Sequence, residues 1–209
     1  MAIRSQDTPL TVINRFRVKG HGGRFVRKFR AHSQYLRARP EFDFLVTVQL
    51  VDQPEVVVNL AHWRTVRGFL RTVHEDTFQE HVRQLGPLVE TEADQALSVA
   101  RVLKENALVG TANILLTRAR PHGDPHDFER RFAELDDRHG RLGGFGGSDL
   151  LRSTLYPDTY LGLQWWYDAE ECDRALRDRR RRALAERMAE EADLVVDRGR
   201  HLAYERDLS

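Results

Sequence analysis

The sequence predicts an α+β fold made of two copies of one βαββαβ unit. Three observations support it: aromatic and proline residues recur 103 residues later, strand and helix patterns recur in the same order, and 209 residues suffice for two small domains. The recurring set is Phe25, Phe29, Phe42, Pro54 and Trp63, matched by Phe128, Phe132, Phe145, Pro157 and Trp166. We therefore predict one domain over residues 8–105 and a second over residues 107–206.

The first half is predicted to contain a strand, a helix, a hairpin, a helix and a strand. Apolar and polar residues alternate over residues 10–18, and a glycine-rich turn leads to a helix over residues 24–37. Two stretches rich in β-branched and aromatic residues flank Asp52-Gln53-Pro54 and indicate a hairpin. A helix over residues 65–85 follows, ending at Gly86-Pro87, and then a strand over residues 96–103.

The second half is predicted to repeat this order. Pro125 suits the first turn of a helix, where a backbone N–H is not needed. The βαββαβ order is that of the ferredoxin-like split unit, whose antiparallel sheet carries both helices on one face. Two such sheets can cover each other's free apolar faces, so we expect a fused dimeric α+β barrel. The predicted helices cover residues 125–142 and 169–192, and the strands cover residues 112–118, 148–155, 159–167 and 194–204.

Composition and charge exclude several classes of protein. The 33 basic and 32 acidic residues nearly cancel, so no overall field draws the chain onto nucleic acid. No stretch approaches the roughly 18 to 20 apolar residues of a membrane span, and the polar first residues lack a secretory signal, so we expect a cytoplasmic protein. Cys172 is the only cysteine, which leaves no internal disulfide and no thiolate metal cluster within one chain. We expect no metal site.

Candidate acid–base residues are concentrated in the first half. His62 ends a predicted strand, while His74 and His81 lie seven residues apart in the predicted helix and would share one face with Phe78 between them. Imidazole has a pKa suited to proton transfer at physiological pH. Each histidine could equally be a surface or core-edge residue.

Other polar and aromatic residues complete the candidate site. Asn14 and Asn59 can donate amide hydrogen bonds, and Trp63 and Phe78 can form the walls of a slot for aromatic rings. Such a set suits acid–base chemistry on a ligand that contains aromatic rings.

The second half lacks the helix histidines. Arg177 and Leu184 stand 103 residues after His74 and His81, so we expect the reactive pocket in the first half. Trp165 and Trp166 can form an aromatic surface for a substrate or cofactor, although a tryptophan pair can also be core. Arg152 can meet a cofactor phosphate.

Several of these stretches resemble one known family. They are Val12-Ile13-Asn14-Arg15-Phe16, Pro40-Glu41-Phe42, the block from His62 to Phe69, and its repeat from Gln164 to Glu170. Together they resemble the antibiotic-biosynthesis monooxygenase superfamily of dimeric α+β barrels. That superfamily includes cofactor-free anthrone oxygenases, angucycline ring-opening oxygenases that use reduced flavin, and haem-degrading enzymes. The tandem organisation favours the ring-opening group, of the jadomycin, gilvocarcin and kinamycin type.

The resemblance implies an oxygenase of aromatic polyketide biosynthesis. It would use dioxygen to hydroxylate or cleave a polycyclic aromatic ring, either without a cofactor or with reduced flavin (FADH2 or FMNH2) from a partner reductase. Trp165 and Arg152 are then the expected flavin contacts, since no GxGxxG turn marks a Rossmann site. The chain would be a monomeric pseudo-dimer or a homodimer.

Two alternatives remain open at this stage. Haem binding or degradation would use Asn14 and His81, but the tryptophan that the haem-degrading enzymes require would fall at Thr72. A non-catalytic binding protein is the other alternative, because a fold does not fix a function.

Overall fold

The structure is a computed structural model that describes residues 6–20 and 22–206. It has α+β architecture, as the sequence predicts. The helices are α1 (Gly22–Arg37), α2 (Val66–Val73), α3 (Asp76–Leu85), α4 (Pro125–Gly140), α5 (Ala169–Arg177) and α6 (Arg179–Glu191), with a short 3-10 turn at Gly86–Leu88. The strands are β1 (Leu10–Val18), β2 (Phe42–Leu50), β3 (Val56–Trp63), β4 (Val89–Leu103), β5 (Ile114–Pro121), β6 (Phe145–Ser153), β7 (Tyr160–Trp166) and β8 (Ala192–Arg206).

The chain divides into two compact units. Of the described residues, unit 1 contains 6–20, 22–95 and 202–206, and unit 2 contains 96–201, so both divisions fall inside the long strands β4 and β8. The strand order is β4-β1-β3-β2 in unit 1 and β8-β5-β7-β6 in unit 2. Strand β3 pairs antiparallel with β1 and β2, and β7 pairs antiparallel with β5 and β6. Each unit therefore has a hairpin strand, β3 or β7, at the middle of its sheet.

In unit 1 the helices cover one face of the sheet. Alternate residues of β3 point to opposite faces, and the face with Val57 and Trp63 packs against α1. Two apolar clusters form there, in which each fully buried Phe or Leu contributes roughly 1.5–3 kcal/mol. The Phe29 cluster comprises Phe16, Phe25, Phe29, Val57, Leu85 and Val89, and the Trp63 cluster comprises Leu10, Leu36, Phe42, Leu45, Ala61 and Trp63.

Unit 2 has a corresponding helix-covered face. Phe132 of α4 lies directly over Gly162 of β7, where an added Cβ would come within 2.5 Å of the phenyl ring. The Phe132 cluster comprises Ala119, Phe128, Phe132, Leu135, Leu150, Tyr160, Met188 and Ala192, and the Trp166 cluster comprises Leu115, Phe145, Trp166, Cys172 and Ala175. Glycine at position 162 is therefore a packing requirement of the α4–β7 contact.

The helix predicted over residues 65–85 is two helices, and that prediction was wrong. His74 ends α2, and Glu75 has an extended backbone (φ −71°, ψ 137°) before α3 begins. The Glu75 carboxylate accepts hydrogen bonds from Tyr35 of α1 (2.7 Å) and from Arg39, which follows α1 (2.8 Å). These contacts between distant residues hold the break, and helix periodicity gives no sign of them.

The helix predicted over residues 169–192 is also divided. Asp178 caps α6 by accepting a hydrogen bond from the backbone N–H of Arg181 at 2.7 Å, and Arg138 of α4 binds its carboxylate through two nitrogens. These bonds lower the pKa of Asp178 to about 2. An aspartate is a favoured N-cap residue, so the sequence did contain a signal for this break.

Strand β4 is longer than predicted. It begins at Val89 rather than at residue 96. The sequence analysis missed its first half because Glu90, Glu92 and Asp94 are residue types that are uncommon in strands. Strand β6 likewise begins at Phe145 rather than residue 148 and includes Gly146 and Gly147.

Element bounds recur along the chain. Helix α4 begins and ends 103 residues after α1, and β6 and β8 stand in the same relation to β2 and β4. In the part of the chain that the structure describes, no helix is long and apolar enough to cross a membrane.

Replacing Gly162 by alanine should destabilise unit 2. The added methyl group overlaps the Phe132 ring, and overpacking of this kind costs about 1–3 kcal/mol in the free energy of unfolding. Thermal and denaturant unfolding measure the loss. The control is Gly123→Ala, where a Cβ meets no atom within 4 Å; equal stability of the two variants would contradict the packing role.

Candidate functional site

A row of polar side chains crosses the helix-covered face of unit 1. Asn14 of β1 and Thr47 of β2 both lie opposite Asn59 of β3, and the Thr47 hydroxyl is 3.5 Å from the Asn59 Oδ1 atom. Asn59 is only 2% exposed, yet Asn14 keeps partial exposure although it lies on the covered face. Burying an amide costs free energy unless it is hydrogen-bonded. We therefore treat this row of polar side chains as a candidate binding surface.

The row separates the two apolar clusters of unit 1. In the register of β1 with β3, Phe16 and Val57 of the Phe29 cluster lie two residues to one side of the Asn14–Asn59 pair. Ala61 of the Trp63 cluster lies two residues to the other side. The polar groups thus form one layer between two apolar layers.

Helix α1 supplies His32 to the same region. Phe29 and Leu36 of α1 belong to the two different clusters, and His32 lies between them, 8% exposed. Burial, and secondarily the charge of His81, lower the His32 pKa to about 4, so its imidazole is neutral at pH 7. The sequence analysis missed His32. Its place in the stripe Phe25, Phe29, His32, Leu36 was a signal, because that spacing marks the buried face of a helix.

His81 of α3 contacts His32 edge-on. The ring centroids are 5.6 Å apart at an interplanar angle of 86°, and Phe78 lies 5.2 Å from His32. Tyr35 packs against His81 at 5.3 Å. Among the described residues, neither the Nδ1 atom of His32 nor that of His81 has a hydrogen-bond partner, although both are buried. Two imidazoles with unused nitrogens therefore meet inside one aromatic cluster.

A surface depression opens onto His81. Its volume is about 350 Å³, within the range of small-molecule sites, and it lies where α1 and α3 face each other. Lys28 of α1 and Gln84 of α3 bridge this region by a 2.6 Å hydrogen bond. The lining residues are Lys28, Ala31, Asp76, Thr77, Glu80, His81 and Gln84. His81 is thus the imidazole at the depression, and the His32 ring contacts it.

The structure separates the three histidines that the sequence analysis grouped. His74 is exposed at the end of α2, so the prediction that it shares one continuous helix face with His81 was wrong. His62 lies on the face of β3 opposite to Asn59, where it contacts the Thr11 hydroxyl at 2.8 Å and stacks on Phe44. Only His81 lies at the depression.

The predicted aromatic walls have different environments. Phe78 is partly buried and its ring contacts His32 edge-on, but it is not among the residues that line the depression. Trp63 is 2% exposed and packs edge-on against Phe42 and Phe69, within the Trp63 cluster. Trp63 thus supports the sheet side of the site from within the core.

The predicted flavin contacts do not share one surface. The Trp165 indole donates a hydrogen bond to the Glu105 carbonyl and lies on the face of β7 opposite to Tyr160. The Arg152 guanidinium lies over the Tyr160 ring at 5.6 Å, on the other face. These two residues therefore do not fit the ring and the phosphate of one flavin. Trp166 is fully buried in unit 2.

Comparison with known proteins supports the fold. No family model and no curated protein matches the sequence. A candidate monooxygenase from Fusobacterium nucleatum superimposes with a TM-score of 0.78 at 8% identity over 97% of this chain and 96% of that one. A candidate monooxygenase from Lactobacillus acidophilus gives 0.71 at 9% identity over 95% and 96%. An anthrone oxidase-like protein gives 0.69 at 13% identity over 98% and 95%. At such identities the likeness concerns the fold alone.

Stability should fall as the pH drops below 6.5, in part because of His32. The unfolded histidine binds a proton near pH 6.5, whereas the native one resists it down to about pH 4, so acidification favours unfolding across that window. The contribution is about 3 kcal/mol by linkage. Denaturant unfolding of His32→Gln at several pH values should give a shallower pH dependence.

The matched control for this measurement is His126→Gln, because His126 is exposed on α4. It should keep the pH slope of the wild-type protein. An unchanged slope in His32→Gln would show that His32 is not buried as described.

Proposed function

We propose that the protein is an oxygenase that oxidises an electron-rich polycyclic phenol or anthrone, of the aromatic polyketide class, in unit 1. The observation that carries the proposal is a pair of contacting imidazoles: His81 lines the depression and His32 is buried against it, and among the described residues neither Nδ1 atom has a hydrogen-bond partner. The anthrone oxidase-like neighbour names a first substrate class to try.

The chemistry needs a base more than it needs a cofactor. Triplet dioxygen reacts slowly with a closed-shell molecule until it receives an electron, and an anthrone that has lost a proton from its ring methylene is a far better electron donor. Overall, the ring methylene and one dioxygen give a ring carbonyl and one water, so that carbon loses four electrons and dioxygen gains them. One oxygen atom remains in the product and the other leaves as water, which carries both methylene hydrogens.

The residues of unit 1 suit the steps of this reaction. His81, at the depression, takes the proton from the substrate, and His32, being neutral, does not repel the imidazolium that forms. Phe78 packs against His32 and Tyr35 against His81, so aromatic rings hold both imidazoles in place. We propose the cofactor-free form of the reaction, since Trp165 and Arg152 do not form one flavin site.

We also propose that the two units descend from one duplicated ferredoxin-like unit. The recurrence of element bounds at 103 residues supports this, as does the corresponding strand order β4-β1-β3-β2 and β8-β5-β7-β6. Such an origin fits the tandem members of the antibiotic-biosynthesis monooxygenases, and it explains how only one unit kept the histidine pair.

Dioxygen uptake with 1,8-dihydroxyanthrone tests the proposal. The wild-type protein should consume one O2 per anthrone and form the anthraquinone, followed by its visible absorbance. His81→Ala should lower kcat/KM by about 100-fold or more, because a positioned base contributes 10²–10⁴ in rate. His126→Ala, an exposed histidine, should stay within about twofold of wild type.

Two outcomes would contradict the proposal. One is a wild-type rate no higher than that of an equal concentration of serum albumin, across a panel of anthrones and naphthols. The other is unchanged activity in both His81→Ala and His32→Gln. Turnover that appears only when reduced FMN and a reductase are added would contradict the cofactor-free form.

A further inference from the structure

Unit 2 contains a buried polar network that the proposed reaction does not use. Asp136 of α4 accepts hydrogen bonds from the Ser148 hydroxyl at 2.5 Å and from the Gln164 amide at 2.6 Å. The same Gln164 nitrogen lies 3.3 Å from the Nδ1 atom of His139. All four residues are at most 6% exposed. None of them was selected from the sequence.

This network fixes the tautomer of His139. The Gln164 nitrogen must be the amide NH2, because its other partner is a carboxylate oxygen that accepts hydrogen bonds. The Nδ1 atom of His139 therefore accepts, and its Nε2 atom carries the hydrogen. Burial lowers the His139 pKa to about 3, so the ring stays neutral.

Three N–H donors are left over beside this network. Among the described residues, no hydrogen-bond acceptor is found for the Nε2 atom of His139, the indole Nε1 atom of Trp166 or the Nε atom of Arg181, all of them buried. The His139 and Trp166 rings meet edge-on at 4.9 Å, and the Arg181 charge acts on His139. The donors come from three elements, α4, β7 and α6.

The Arg181 charge also lacks a counter-ion. The residue is 9% exposed, its Nε atom is buried without an acceptor, and among the described residues no carboxylate acts on its charge. Asp178, the acidic residue at the start of α6, forms an ion pair with Arg138. Cys172 cannot compensate either, because burial raises the pKa of its thiol to about 12. A buried charge is stable only when it is paired.

We infer that unit 2 has a buried anion-binding site at Arg181, His139 and Trp166 that takes a small oxyanion of the size of formate or nitrate. Arg181 supplies the positive charge, and the three N–H groups supply directed donors. The inference is independent of the proposed oxygenase activity.

Indole N–H signals in a ¹H–¹⁵N spectrum give a direct test. Titration with sodium formate or sodium nitrate, in Tris buffer with gluconate as counter-ion, should shift the Trp166 signal saturably. That signal is assigned by its loss in Trp166→Phe. The Trp165 indole, which already donates to the Glu105 carbonyl, should not move.

Two neighbouring arginines provide the matched variants. In the wild type, anion at 100-fold excess over Kd should raise Tm by about 5 °C or more. Arg181→Met should abolish both this rise in Tm and the shift of the Trp166 signal. Arg182→Met, at an exposed position, should behave as wild type. Without anion, Arg181→Met should melt no lower than wild type, because it removes an unpaired buried charge.

Other results would overturn the inference. They are a Trp166 signal that neither anion moves, an equal shift in Arg181→Met, or Arg181→Met melting well below wild type in gluconate. The last result would mean that the guanidinium is held by packing rather than by a bound anion.

Discussion

The register of β1 and β2 on β3 is the constraint on which the rest of unit 1 depends. It places Asn14, Asn59 and Thr47 in one row, and because the side-chain period of a strand is two, a shift of one residue would turn all of them to the other face. The apolar clusters on both sides hold that register, since a shift would also expose their core residues. The stability of the sheet and the position of the polar row therefore have the same origin.

The two units carry several of their buried polar groups at positions that do not correspond in the 103-residue repeat. Asn59, in the polar row of unit 1, corresponds at the 103-residue spacing to Gly162, which Phe132 covers. Conversely, His139 and Gln164 of the unit 2 network correspond to Leu36 and Ala61, which belong to the Trp63 cluster. At these three positions one unit has an apolar residue or glycine where the other has a polar side chain. The same layered packing supports two unlike sites, one open to a depression and one buried.

The sequence predicted the order and most bounds of the elements, because aromatic spacing and strand patterns are local signals. Both divided helices were missed. The Glu75 break is held by hydrogen bonds to Tyr35 and Arg39, which are more than thirty residues away in the chain, whereas the Asp178 cap was a local signal that the analysis did not use. His81 was predicted at the site and lies at the depression. His62 was grouped with it because the two are close in sequence, but strand alternation turns its side chain to the other face.

The residues missed at both sites share one property. His32 and His139 lie in the apolar stripes of α1 and α4, where a single histidine looks like core. Their chemistry depends on what faces them from distant elements: His81 in one case, Trp166 and Arg181 in the other. A periodicity argument counts such positions as buried without showing that a nitrogen is left unpartnered.

A crystal structure of the protein with the product 1,8-dihydroxyanthraquinone tests the central claim most directly. The account predicts that the ring system enters between α1 and α3, with one ligand oxygen within hydrogen-bond distance of the His81 imidazole and the rings against Phe78. A ligand ordered elsewhere, with the depression at His81 empty at saturating concentration, would contradict it.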